Sequence, residues 1–377
     1  MKMQTKPLFR WFALVLAVQL ATALTLKAQS PFADSFNPSP SGGSPRTCIS
    51  SLAIQPDRKI LVGGSFTKIA GVGRTNIARL YPDGTVETNF HPVVLGGFSS
   101  TEVRCLAFQT NGQILVGGSF SALSGQIRKN IGRLNADGTV DMTFNPGSDI
   151  RQVKTLAVLP DGKILVSGSF FTIGGLSRRY IARLNSDGTS DTNFNARANN
   201  PVLYVVPQAD GRILVGGDFT RIGGQTRTNI ARLNPDGTLD SSFNPALVGT
   251  VYPRLVQPDG KILVVGAFTC SGGGTSTLAR LNEDGSVDSC GSGTSGPCNG
   301  VASIGLQADG KVVLGGGSTN YLGRLNTNGT WDTNFTARAD SLVRAMAIQP
   351  DGKILVAGDF SVLAGQSRSY IGRLNTE

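Results

Sequence analysis

The chain has 377 residues and carries a formal net charge of +10, with 49 glycines and little aromatic content. That length allows a large core in one or two domains, and the glycine content suits a turn-rich, all-β protein. Without Lys2, Lys6, Arg10 and Lys27 the excess falls to about +6, spread thinly. The dense basic stripe of a nucleic-acid binder is absent, so no nucleic-acid partner is expected.

Residues 1–28 differ from the rest. Three basic residues precede an apolar run from Trp11 to Leu24, and Leu26-Lys27-Ala28 follows. This pattern predicts a secretory signal peptide. The 14-residue run is short of the roughly 20 residues of a spanning helix, so the mature chain is expected to have no membrane span. No cysteine follows the expected cut, so no lipid anchor is indicated. The mature protein is expected to be exported to the periplasm, the cell surface or the medium.

From residue 29 onward one unit recurs, clearest between Val202 and Pro245. Val202–Val206 and Arg212–Phe219 are short apolar runs joined by Gln208-Ala209-Asp210-Gly211. Asn229–Asn234 and Thr238–Phe243 are joined by Pro235-Asp236-Gly237. Each pair reads as a hairpin, because Asp-Gly supplies the left-handed corner of a tight turn. Four short strands therefore fit in roughly 45 residues, and no sustained helical period competes.

Copies are expected at 49–92, 103–146, 153–195, 202–245, 251–290, 301–336 and 343–377. From Arg79 to Arg373, six steps cover 294 residues, a mean period of 49. Four strands at that period predict a seven-bladed β-propeller with four-stranded blades spanning 29–377. Copy seven stops after its third strand, and residues 33–38 within the segment 31–38 match the strand it lacks. The N-terminal strand is therefore expected to complete the last blade. Copy five has Cys290 in place of the closing Phe-Asn-Pro, and copy six has a short middle loop.

An eight-residue spacing pairs Arg79 with Glu87, Arg133 with Asp141, Arg183 with Asp191, Arg232 with Asp240, Arg280 with Asp288 and Arg324 with Asp332. In such a hairpin the two residues face each other, so these charges read as structural. Arg373 has Asp34 as its candidate partner.

Recurring segments of the form Gln-Pro-Asp-Gly-Lys-Ile-Leu-Val-Gly-Gly-Ser-Phe and Ile-Ala-Arg-Leu-Asn-Pro-Asp-Gly-Thr-Leu-Asp resemble the delta-60 repeat family over about residues 31–377. The resemblance implies a β-propeller domain of unknown function, found mostly in exported bacterial proteins. It implies no activity.

Little in the chain reads as catalysis. The one histidine, His91, cannot build a multi-histidine metal site, and no nucleophile elbow or phosphate loop is present. The Asp-Gly pairs read as turns because the alternating pattern of a calcium loop is missing. No metal, cofactor or catalytic residue is therefore expected. Of the five cysteines, Cys290 and Cys298 are the expected disulfide, Cys270 the expected leftover thiol, and a Cys48–Cys105 bridge is doubted.

The expected function is a non-catalytic binding scaffold working as a monomer. The alternatives are a surface-structural or adhesion module and a propeller polysaccharide lyase or hydrolase. An enzyme would have to draw on Glu102, Asp149 and Asp340 in the links, or on Tyr204 and Tyr252. For binding, the candidate is an arc of Arg74, Arg128, Arg178, Arg227 and Arg368, each five residues before a strand arginine. Copies five and six have Thr275 and Thr319 there. Such an arc would suit an anionic glycan, with another envelope protein as the other candidate partner.

Overall fold

The computed structural model describes residues 31–44, 46–96, 100–147, 149, 151–270, 275–291, 300–317 and 321–375. The expected leader at 1–28, Cys298 and Thr319 lie outside them. The described residues form strands and turns with no helix, so none is long and apolar enough to cross a membrane.

Each copy begins with an antiparallel hairpin. The seven first strands are Cys48–Ile54, Glu102–Phe108, Gln152–Val158, Val202–Pro207, Val248–Val256, Val301–Leu306 and Val343–Ile348. Each lies against the first strand of the next copy, and the seventh lies against the first. Five of the seven second strands, such as Ile60–Ser65 and Ile114–Ser119, are buried at every residue, and the other two over their first residues. Continuous burial explains their unbroken apolar character: both faces of a blade are covered by its neighbours, as in sheets buried on two sides. The core accordingly lies between blades. One cluster joins Ile49, Phe66 and Leu80 of copy one to Leu355 and Ile371 of copy seven.

The third strands, such as Ile230–Leu233, add to the second. The expected fourth strand corrects to a shorter feature. Six sheets of this blade series are three-stranded, and in five of those copies the fourth segment makes one bridge, as Leu233↔Leu239 does. Among the described residues only the fifth copy forms a four-stranded sheet, with Val287–Cys290 at its edge. The reason is local. The aspartate that opens the fourth segment turns back on itself, and Asp240 Oδ1 accepts from the backbone and side chain of Ser242. The chain then leaves the ladder and buries a phenylalanine such as Phe243.

In copy seven the bridge comes from the N-terminal segment. Ala33 bridges Leu374, Asp34 N–H donates to Arg373 O at 3.0 Å, and Phe36 is fully buried.

The eight-residue arginine–carboxylate spacing gives contacts in all six pairs. Distances run from 2.6 Å in Arg79–Glu87 and Arg280–Asp288 to 2.7 Å in the others. Arg373 pairs with Asp34 at 2.7 Å. These arginines also reach forward. Arg79 donates to Ala136 O, Arg133 to Ser186 O, Arg183 to Pro235 O and Arg232 to Glu283 O. Arg280 donates to Thr327 O, and Arg373 to Pro82 O. Each acceptor lies in the turn of the following blade, with copy seven reaching copy one.

The expected Cys290–Cys298 bridge is corrected. Cys290 bonds Cys270, with Cα atoms 6.5 Å apart. Spacing along the chain favoured the near cysteine, but packing decides otherwise. Both Cys270 and Cys290 pack on the cluster around Phe243 and Phe268, in the copy where Gly291 replaces the phenylalanine of the others. Cys270 is therefore not the leftover thiol; Cys48 and Cys105 are free.

Candidate functional site

The arginine arc does not present free guanidiniums. Arg74 donates to Gly73 O, Glu87 O and Thr88 O at 2.7–3.1 Å. Arg128 is buried and donates to Ile127 O and Asp141 O. Arg178 donates to Ser177 O and Thr192 O, Arg227 to Asn244, and Arg368 to Ser367 O and Asp34 O. Each ties its middle loop to the closing segment of the blade. This role explains their fixed position: a loop arginine five residues ahead of the strand meets carbonyls that have left the ladder.

The chemistry gathers on the axis instead. A cavity of about 470 Å³ is lined by residues from all seven first strands or their edges. A blade covered on both faces turns only its inner backbone edge to the axis, so a regular strand would show no side chain there. Every first strand breaks that regularity with a bulge. Pairing skips Ser50, Arg104, Lys154, Leu203, Arg254, Ala302 and Arg344. All seven skipped residues line the cavity. A bulge bends its strand and re-aims one side chain, and here it does so once per blade. In copy five the bulge sits two residues nearer the turn, which places Arg254 rather than Tyr252 in the lining.

The second glycine of the recurring Gly-Gly makes room for the bulge. A Cβ on Gly118 would meet Glu102 O at 2.1 Å, and one on Gly358 would meet Leu342 O at 2.0 Å. The position before it tolerates Ser167 or Ala357.

Four cations and one carboxylate, Glu102, line the cavity. Glu102 is buried, accepts from Ser50 Oγ, and pairs with Arg104 at 2.7 Å. Arg344 makes a two-pronged contact with Asp359, both bonds 2.7 Å. Arg254 donates to Val301 O and Ala302 O and lies 3.9 Å over the Tyr204 ring, which in turn packs on Tyr252. Lys154 has no hydrogen-bond or ion-pair partner among the described residues. Burial, and then Arg104, hold its ammonium below the usual lysine range. The Nε–H groups of Arg104 and Arg254 are also buried without a partner.

The other candidates for chemistry are engaged or distant. Burial pushes the Cys105 thiol up to about 12, and burial followed by the Glu102 charge raises Cys48. Both therefore stay protonated and are poor nucleophiles. Asp149 accepts from Phe171 N–H and from Thr172, and Asp340 from Ser361 and Val362 N–H; both fasten links. His91 is exposed and lies away from the axis, in a surface recess with Asn89, Ser124 and Asp137. Among the described residues no group of three or more His, Cys, Asp or Glu could hold a metal. Asp137 instead accepts from the N–H and hydroxyl of Thr139, as turn aspartates do.

The family model described as a domain of unknown function (DUF5122) beta-propeller matches residues 55–90, 109–144, 159–194, 208–243, 257–289, 307–335 and 349–377. None of the curated proteins matches the chain. Among solved structures, a streptogramin B lyase is similar at 15% identity and TM-score 0.56, over 92% of this chain and 98% of that one. An extracellular domain described as part of a one-component system from B. thetaiotaomicron is similar at 15% identity and TM-score 0.55. There the match covers 92% of this chain but 40% of that longer one. The Pan2 WD40 domain of Neurospora crassa is similar at 10% identity and TM-score 0.52, over 92% of this chain and 97% of that one. At these identities the likeness is one of fold.

Proposed function

Because the chain belongs to the DUF5122 β-propeller family, whose function is unknown, we propose that it is an exported, non-catalytic binding propeller whose axial cavity takes a small anionic ligand. In this reading the seven copies form one ring, residues 31–38 hold its seam, and residues 1–28 direct export.

The observation that carries the reading is the convergence of four cations on the axis against one lining carboxylate, with Lys154 half-buried and unpaired among the described residues and the Nε–H groups of Arg104 and Arg254 buried without an acceptor. A buried donor without an acceptor costs about 1–3 kcal/mol, and more when charged. An anion on the axis would relieve that cost at several donors together, with hydrogen bonds strengthened by charge. Binding is favoured over turnover because the neighbouring thiols are protonated, Glu102 is held by Ser50 and Arg104, and His91 lies off the axis.

The test is calorimetric titration and thermal unfolding of the mature chain with a panel of carboxylates, sulfate and phosphate at matched ionic strength. A ligand at about 100 times its Kd adds roughly 2.7 kcal/mol of stability. Lys154→Met and Arg104→Met should each weaken that gain. If no anion binds, or both variants bind as the parent does, the axial reading is wrong.

A further inference from the structure

The axial cavity combines unpaired positive charge with apolar side chains, and this narrows its ligand; the step rests on the reading above. Two of its four cations are paired with carboxylates. Arg104 faces Glu102 at 2.7 Å, and Arg344 is held at both nitrogens by Asp359. Arg254 is drawn to the Val301 and Ala302 carbonyls and stacked on Tyr204. Lys154 alone has no contact partner among the described residues, and Glu102 and Asp218 act on it only at a distance. Arg254 is held among carbonyls and a ring, so Lys154, with the spare Nε–H of Arg104 in the neighbouring blade, is the cation left to meet an anionic group. A polyanion would bring more buried negative charge than these cations match, which is strongly unfavourable.

Apolar side chains also line the cavity: Leu203, Val206 and Ala302 on copies four and six, and Leu106 and Leu342 on copies two and seven. Two of these, Leu203 and Ala302, occupy the bulge positions that turn a side chain to the axis. Side chains re-aimed to the axis that cannot hydrogen-bond are suited to covering a hydrocarbon surface. A pocket with an apolar wall and a few convergent polar groups is the usual form of a small-molecule site.

From this arrangement we infer that the ligand is an amphipathic monoanion: a carboxylate seated between Lys154 and Arg104, with an apolar arm lying along Leu203, Val206 and Ala302. Sulfated and uronic-acid oligosaccharides do not fit this chemistry.

The experiment is calorimetric titration of the mature protein with acetate, butyrate, hexanoate and octanoate, alongside succinate, an oligogalacturonate and neutral octanol. Each methylene placed against the apolar wall should tighten binding about fourfold. Leu203→Ser should flatten that chain-length dependence, while Lys154→Met should weaken all the monocarboxylates alike. Thermal unfolding of each variant checks that it is folded. Because Leu203→Ser could loosen the strand, Ala302→Ser gives a second, smaller change at the same wall. If affinity is independent of chain length, or if succinate or oligogalacturonate binds more tightly than octanoate, the inference fails and the anion site stands. If octanol binds as well as octanoate, the charged half of the inference fails. If none of the anions binds, the underlying reading fails with it.

Discussion

At the residue scale, the arginine of the third strand does two things, of which one was legible. The eight-residue spacing placed Arg232 opposite Asp240, because a tight Pro-Asp-Gly turn fixes which residues face each other. The forward bond from Arg232 to Glu283 O was not legible, because its acceptor lies in the next copy and is a backbone atom. Burial follows from the same contact. The Arg232 side chain is 2% exposed, and it packs over the Phe243 ring at 4.8 Å. An exposed pair would contribute at most about 1 kcal/mol. Removing one partner of a buried pair is most costly when the other charge is left uncompensated. Asp240 keeps Arg212 at 3.3 Å, so Arg232→Ala should cost roughly 1.5–3 kcal/mol, the worth of its charged hydrogen bonds, read from denaturant unfolding. A loss below about 1 kcal/mol would mean that the pair is solvated. The loop arginines show the converse. Their regular position was visible in the sequence and suggested a ligand, yet regularity also follows when each copy has the same carbonyls to satisfy, as Arg74 and Arg178 do.

At the scale of the strand, the bulge links the sequence motif to the site. First strands read as apolar runs, and read alone they gave no reason to single out Lys154 or Arg344. The signal lay in comparing copies. Outside copy five, the other positions of each strand stay mostly apolar or small, while the second scatters through Ser50, Arg104, Lys154, Leu203, Ala302 and Arg344. A position that varies so freely does not pack between blades. The Gly-Gly of the second strand was read as part of a family pattern, but its physical basis is the close approach of the bulged backbone. Gly358 has no left-handed backbone to excuse it, so the effect of a side chain there is purely steric. A Cβ would lie 2.0 Å from Leu342 O and 2.9 Å from Val343 Cα. Overpacking of this kind typically costs 1–3 kcal/mol. Gly358→Ala should therefore lower the melting temperature measurably, although its buried neighbour Ala357 already carries a methyl group. An unchanged melting temperature would show that the bulge has room to shift.

At the scale of the whole molecule, the chain meets itself at the seam between its ends. The truncated seventh copy and the matching Ala-Asp-Ser-Phe-Asn-Pro at 33–38 made this legible, because a missing segment and a spare one are complementary. The contacts follow that pattern. Asp34 pairs with Arg373, and Phe36 packs with Ile49, Phe66 and Leu355, so it touches the first and last copies together. Arg373 lies 4.9 Å over the Phe36 ring and donates to Pro82 O, repeating across the seam the arrangement that joins the other blades. Deleting residues 31–38 removes these contacts together. It empties the space of a fully buried phenylalanine, a loss of about 3–5 kcal/mol in comparable truncations. It leaves Arg373 without its carboxylate and opens the edge of Ile371–Leu374 to pairing with another chain. The deletion variant should melt at a lower temperature and elute as dimers or larger species in size-exclusion chromatography with light scattering. Phe36→Ala keeps the edge bridge, so it should melt lower yet stay monomeric, separating lost packing from an exposed edge. A deletion variant that elutes as a monomer with the parent melting temperature would show that the ring holds without its N-terminal segment.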